Sequence, residues 1–273
     1  MNNVIVITSG KGGVGKTTVV ANVGSCLAEL GKSVVLIDAD VGLRNLDIVL
    51  GLEIKAKYNI IDVSRGITTL DKALIYDKRS ENRLALLAAS QSHQKEDLKK
   101  EDFTRIIAEL KSKFDYVIID CPAGIEYGFH NSIRNATRAI IVVNPDVSSI
   151  RDADRVIGII ENEKLRKIDL IVNRVNPELL KKKELITIEE IEEILGLKLI
   201  GLIPEDSKII LSTNVGKPVL YGKEKQLINI FMDIAKRING EKILVTLEKE
   251  FVSKSETIWN KVKKSFTVIK KEN

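Results

Sequence analysis

The sequence predicts an α/β fold, a mostly parallel central sheet with helices on both faces, extended by a C-terminal amphipathic helix. Three observations carry that expectation. Continuously apolar, largely β-branched runs recur at 4–7, 34–37, 84–87, 116–119, 139–143, 170–172 and 199–203. Helical patterns separate them, the alternation of a parallel sheet buried on both faces. The first run also passes through a glycine-rich loop directly into a helix. With 273 residues, 44% hydrophobic and 30% charged, the chain can bury a substantial core. No apolar run approaches the ~20 residues of a membrane span. Met1-Asn2-Asn3 leads straight into the first strand, which leaves no room for a secretory leader and predicts a cytoplasmic location.

The first element is the most informative. After Val4-Ile5-Val6-Ile7 comes Gly10-Lys11-Gly12-Gly13-Val14-Gly15-Lys16-Thr17-Thr18, which fits the phosphate-binding pattern G-x-x-x-x-G-K-[ST] and lies between strand and helix, as the pattern requires. The glycines at 10, 12, 13 and 15 are expected to let backbone N–H groups wrap a phosphate, and the helix that begins here adds its positive end. Lys16 supplies charge for the β- and γ-phosphates, and the Thr17 hydroxyl is suited to Mg²⁺. The loop therefore predicts a P-loop NTPase. Gly31 closes the helix as a C′ glycine.

The second strand ends in Asp38-Ala39-Asp40. Carboxylates at the carboxyl end of a parallel strand face the crevice where ligands bind. The stretch 90–102 is polar and reads as a loop before a helix at 103–111. Asp120 ends the run Tyr116-Val117-Ile118-Ile119 and reads as the acid that reaches Mg²⁺, commonly through water. Lys181-Lys182-Lys183 follows Asn176-Pro177 and reads as a solvated loop. Cys26 and Cys121 are expected to be reduced, buried packing residues. His93 and His130 give little support for histidine chemistry.

The net charge is +5, and residues 249–273 hold seven lysines against three glutamates, or +4 of it. On a helix turning about 100° per residue, Ile258, Trp259, Val262, Phe266 and Ile269 share an arc of roughly 100°, extended by Phe251. Lys254, Lys261, Lys263 and Lys270 border that stripe. This describes an interfacial helix on an anionic membrane; the plainer alternative is a terminal helix packed on the sheet. The expected organisation is a P-loop domain at 1–240, a spacer at 241–253 and an amphipathic membrane-targeting tail at 254–273.

Lys11, a second lysine inside the loop, resembles the deviant Walker A motif of the MinD/ParA ATPase family. In that family the first lysine reaches across a nucleotide-sandwich dimer, so the resemblance implies an ATP-hydrolysing switch that forms a homodimer on ATP, with Mg as cofactor. Asp38–Asp47 with Leu50-Gly51-Leu52-Glu53 resembles the first switch of the MinD branch, and Cys121-Pro122-Ala123-Gly124-Ile125-Glu126 its second. The resemblance implies that Asp40 orients the attacking water and that Asp38 helps to hold the magnesium shell, making Lys11, Lys16 and Asp40 the catalytic set. It makes Asn144–Arg155 a helix near the dimer face that receives regulatory partners. Asn173, Arg174, Pro204, Glu205 and Asp206 look like the family's adenine-binding segments; the alternative for Asn173 is an amide satisfied by loop backbone. Implied partners are a MinC-like division inhibitor and a MinE-like activator, and the implied function is positioning of the division septum from the inner face of the cell membrane.

The resemblance extends from Val4 to Gly240. Nitrogenase iron proteins share the loop, but Cys26 is in the wrong element for their shared cluster. A ParA-like protein that coats DNA as a dimer is the main alternative, and a flagellar-number ATPase the next. The tail's ownership of the charge excess argues for membrane and against nucleic acid.

Overall fold

The computed structural model describes residues 3–122, 124, 125, 127–181 and 186–245. The predicted membrane residues Phe251, Lys254, Ile258, Trp259, Lys261, Val262, Lys263, Phe266, Ile269 and Lys270 lie outside the described residues, as do Ala123, Glu126, Lys182 and Lys183.

In chain order the elements are β1 (Asn3–Thr8), α1 (Lys16–Glu29), β2 (Val34–Asp38), α2 (Leu46–Leu50), α3 (Ile60–Ser64), α4 (Leu70–Ala73), β3 (Ile75–Asp77) and β4 (Leu84–Leu87). Then follow α5 (Lys100–Lys113), β5 (Tyr116–Asp120), α6 (Tyr127–Asn135), β6 (Arg138–Val143), α7 (Val147–Asn162) and β7 (Ile168–Val175). The last are α8 (Pro177–Lys181), α9 (Ile188–Leu195), β8 (Lys198–Pro204), α10 (Ser207–Asn214) and α11 (Lys225–Ile238). The strands form one sheet in the order β3-β4-β2-β5-β1-β6-β7-β8. Every described pairing is parallel except β3 with β4.

Alternation along the strands divides the core in two. Val4, Val6, Val35, Ile37, Val117 and Ile119 face a layer containing α3 to α7 and α9. Ile5, Ile7, Val34, Leu36 and Ile118 face α1, α2, α10 and α11. Both faces are covered, so the strands carry no polar alternation and read as unbroken apolar runs.

The structure corrects the sequence reading in three places. β3 adds an eighth strand, antiparallel at the sheet edge. The polar stretch at 90–102 ends earlier than expected, because α5 starts at Lys100. Lys181 ends the short helix α8 instead of starting a loop. Gly31 behaves as expected, with a left-handed φ of +81° and its N–H donating to the Ala28 carbonyl at 3.0 Å.

The amino edge of the sheet is tied by side chains. Asp115, just before β5, accepts from the Ser33 N–H (2.9 Å) and hydroxyl (2.8 Å) just before β2. Arg138 on β6 pairs with Asp169 on β7 at 2.6 Å, both buried, and donates to the Ile238 carbonyl at the end of α11. Arg237 donates to the carbonyls of Ile200, Ile243 and Leu244 at 3.0, 3.0 and 2.9 Å, so the chain following α11 is held against β8.

Candidate functional site

The loop after β1 reaches α1 through Gly15, whose φ of +99° is left-handed. The helix start has no side-chain cap and no acid in its first turn, so its N–H groups and positive end are left for an anion. The glycines serve different purposes. A Cβ on Gly10 would overlap the backbone of Asp152 on α7, and one on Gly15 would overlap the Asn173 amide. Gly12 has no protein atom near the position of a Cβ, and Gly13 takes a left-handed φ of +74°.

Asn173 comes to the loop through an irregularity in β7. The register with β8 slips between Val172 and Val175, and Arg174 takes a left-handed φ of 55°. Such a bulge re-aims a side chain. The buried Asn173 amide donates to the Val14 carbonyl at 2.6 Å and so braces the phosphate loop. Arg174 is exposed beside it, and the Glu205 N–H donates to the Val175 carbonyl, which brings Pro204 and Glu205 to the same edge. Asp206 caps α10 by accepting from the Lys208 N–H at 2.8 Å.

Asp38 and Asp120 end neighbouring strands in direct register. Burial pushes the Asp120 carboxyl upward, the nearby Asp38 charge pushes the same way, and the Thr17 hydroxyl and Lys16 oppose them. Asp120 Oδ1 is buried and accepts no hydrogen bond. Asp38 is likewise raised by burial, eased by backbone donors: Asp40 N–H to Oδ1 at 3.0 Å, and Asn45 and Leu46 N–H to Oδ2 at 3.1 Å each. Two buried carboxylates beside a threonine hydroxyl suit a divalent cation. Among the described residues no cluster of three His, Cys, Asp or Glu could hold a metal alone. The two carboxylates and the hydroxyl suit Mg²⁺, which keeps waters and shares its sites with ligand phosphates.

Asp40 lies on the segment suspended from Asp38, with Lys95 Nζ 3.8 Å from its Oδ1. Sequence reasoning missed Lys95, which sits in the polar stretch with no motif to mark it. It also missed Thr213 and Asn214, which join Thr17, Thr18 and Asn45 around a cleft of about 490 Å³ beside the loop.

Lys11 is exposed and its ammonium donates to Ser148 Oγ at 2.7 Å on α7. The Ser148 hydroxyl donates to Asp146, which caps α7 through the Ser149 N–H. Burial works against the Asp146 charge, but these hydrogen bonds and the Lys11 charge hold its carboxyl below the usual range. The loop's two lysines thus stand in different environments: Lys16 bears on Asp120, and Lys11 lies on the exposed surface.

Residues 5–219 match the family model described as the CobQ/CobB/MinD/ParA nucleotide binding domain. The septum site-determining protein MinD of Synechocystis is 49% identical over 97% of this chain and 98% of its own length. Among solved structures, the MinC:MinD cell division protein complex of Aquifex aeolicus superposes with a TM-score of 0.83 at 46% identity, covering 89% of this chain and 98% of that one. Pyrococcus horikoshii MinD complexed with Mg-ADP gives 0.79 at 30% identity, covering 89% of this chain and all of that one.

Proposed function

The chain belongs to the CobQ/CobB/MinD/ParA nucleotide-binding family, in its septum site-determining MinD branch, and we propose that it is an ATP-driven switch that positions the division septum from the membrane surface. It is an ATPase that uses ATP and Mg²⁺. Gly10 to Thr18 and Lys16 hold the phosphates. Thr17, Asp38 and Asp120 would hold Mg²⁺ and its water shell, and the ion would neutralise phosphate charge. Asp40 orients the attacking water, while Asn173, Arg174, Pro204, Glu205 and Asp206 border the base.

The observation that carries the switch reading is the position of Lys11. Its ammonium rests on Ser148 beside Asp146 at an exposed surface, where a second chain's phosphates can compete for it. ATP then joins two chains, and two tails at 254–273 dock together. One such helix binds weakly, but a second insertion from a linked pair is intramolecular and raises avidity by about 10²–10⁴. The paired surface around α7 recruits a MinC-like division inhibitor, the kind of partner seen in the Aquifex aeolicus complex, and a MinE-like activator resets the switch.

Cosedimentation with anionic liposomes tests this reading. Full-length protein should pellet with ATP and not with ADP, and a chain ending at Ser253 should pellet with neither. Equal pelleting in both nucleotides would mean constitutive anchoring and would overturn the switch. Retained ATP-dependent dimerisation in Lys11→Ala would overturn the role of the crossing lysine.

A further inference from the structure

A second basic surface lies apart from the phosphate site. At the amino ends of β6, β7 and β8 is a cavity of about 860 Å³. Arg166, Lys167, Lys198 and Lys242 stand around it, all exposed, and among the described residues none of the four is in an ion pair. Its floor holds two guanidinium groups fixed in place, Arg138 by Asp169 and the Ile238 carbonyl, and Arg237 by three backbone carbonyls. The acids on the lining are Asp169, engaged by Arg138, and Glu192 and Glu241. The tail holds +4 of the chain's +5, so the remainder of the chain is nearly neutral and this grouping of cations is local.

Connectivity says what covers it. Residues 240–245 form part of the lining, and only eight residues lie between Val245 and Lys254, a span of at most about 30 Å. A tail lying in the headgroup layer therefore keeps this cavity within about 30 Å of that layer, close enough to meet it. Four unpaired cations over a fixed, positively charged floor match the single negative charge and acceptor oxygens of a phosphodiester. Duplex DNA is less well suited, since the chain leaving the cavity leads into the Trp/Phe/Ile stripe of the tail.

We propose that this cavity binds the headgroup phosphate of an anionic phospholipid, giving each chain a second membrane contact besides its tail. The proposal rests on the tail reading above. Each basic residue at such a surface contributes about fivefold in partitioning, so two cavity lysine and arginine reversals should cost at least tenfold.

The test compares four full-length or truncated proteins loaded with Mg²⁺ and a non-hydrolysable ATP analogue: the unaltered chain, Arg166→Glu/Lys167→Glu, the distant reversal Lys99→Glu/Lys100→Glu, and the chain ending at Ser253. Binding is measured to phosphatidylcholine vesicles with rising phosphatidylglycerol content, and to a short DNA duplex. The cavity reversal should weaken phosphatidylglycerol-dependent binding at least tenfold, with basal ATP turnover unchanged, while the distant reversal has little effect. Identical binding by the cavity reversal and the unaltered chain overturns the proposal, and the truncated chain then reports separately on the tail. If the cavity reversal abolishes duplex binding and spares vesicles, the surface belongs to nucleic acid and the proposal fails. Competition by inorganic phosphate as strong as that by soluble dihexanoyl phosphatidylglycerol would make it a free-anion site and also overturn the lipid assignment.

Discussion

Asn173 links the segment proposed to border the base to the phosphate loop, because its amide donates to the Val14 carbonyl. Losing a buried hydrogen bond and leaving a carbonyl unpaired costs about 1–3 kcal/mol, so Asn173→Ala should weaken ATP binding by about tenfold. Calorimetric titration with pyrophosphate separates the two roles: a brace for the loop weakens pyrophosphate as well, whereas a residue that only touches adenine leaves it unchanged. Burial pushes both thiols, Cys26 and Cys121, up to about 12. Neither should react with a thiol reagent in the native protein, and a fast-reacting equivalent would contradict that. The phosphate loop, Asp38 and Asp120 were legible in the sequence because each is tied to a local pattern, a motif or the end of an apolar run. Lys95 and the Asn173 brace were not, since each depends on contact between segments far apart in the chain.

Among the elements, β7 combines strain with use. A non-glycine residue at φ 55° carries a backbone cost, and Arg174 sits in the bulge that aims Asn173. Arg174→Gly should raise stability by about 0.5–1 kcal/mol in urea unfolding while weakening ATP binding; a loss of both would mean that the guanidinium also supports the fold. The tie between β2 and β5 depends on pH. Hydrogen bonds from Ser33, backbone first and then hydroxyl, hold the Asp115 carboxyl below its ordinary 3.8. Below that range the folded and unfolded chains are both protonated, so the tie's contribution is present above it and disappears as pH falls through the lowered value. The stability gap between the unaltered chain and Asp115→Asn should accordingly be seen at pH 7 and close in strong acid; a gap that widens in acid would contradict the assignment. Seven strands were readable because burial on both faces leaves continuous apolar runs. β3 was not, since Ile75-Tyr76-Asp77 is three residues long with an exposed tyrosine at its centre. The bulge escaped notice because slippage between two strands leaves no mark on either one.

For the molecule as a whole, the Arg138–Asp169 pair joins β6, β7 and the end of α11. Asp169→Ala leaves a buried guanidinium uncompensated and should cost about 3–5 kcal/mol in denaturant unfolding; a cost under 1 kcal/mol would show that water reaches the arginine. The phosphate loop and the chain leaving α11 lie at opposite edges of one sheet, a strand length apart. At about 3.3 Å per residue, the eight residues of β7 put about 26 Å between them. A sheet packed on both faces is a poor lever for carrying a nucleotide signal over that distance, so the two ends are better coupled by stoichiometry than by deformation. Under the proposed switch, arrival at the surface becomes a second-order event. With ATP, bound protein should rise with the square of its concentration at low coverage, and a first-order rise would contradict paired docking; a modest local surplus of the chain then turns into a sharp boundary of occupancy along the cell.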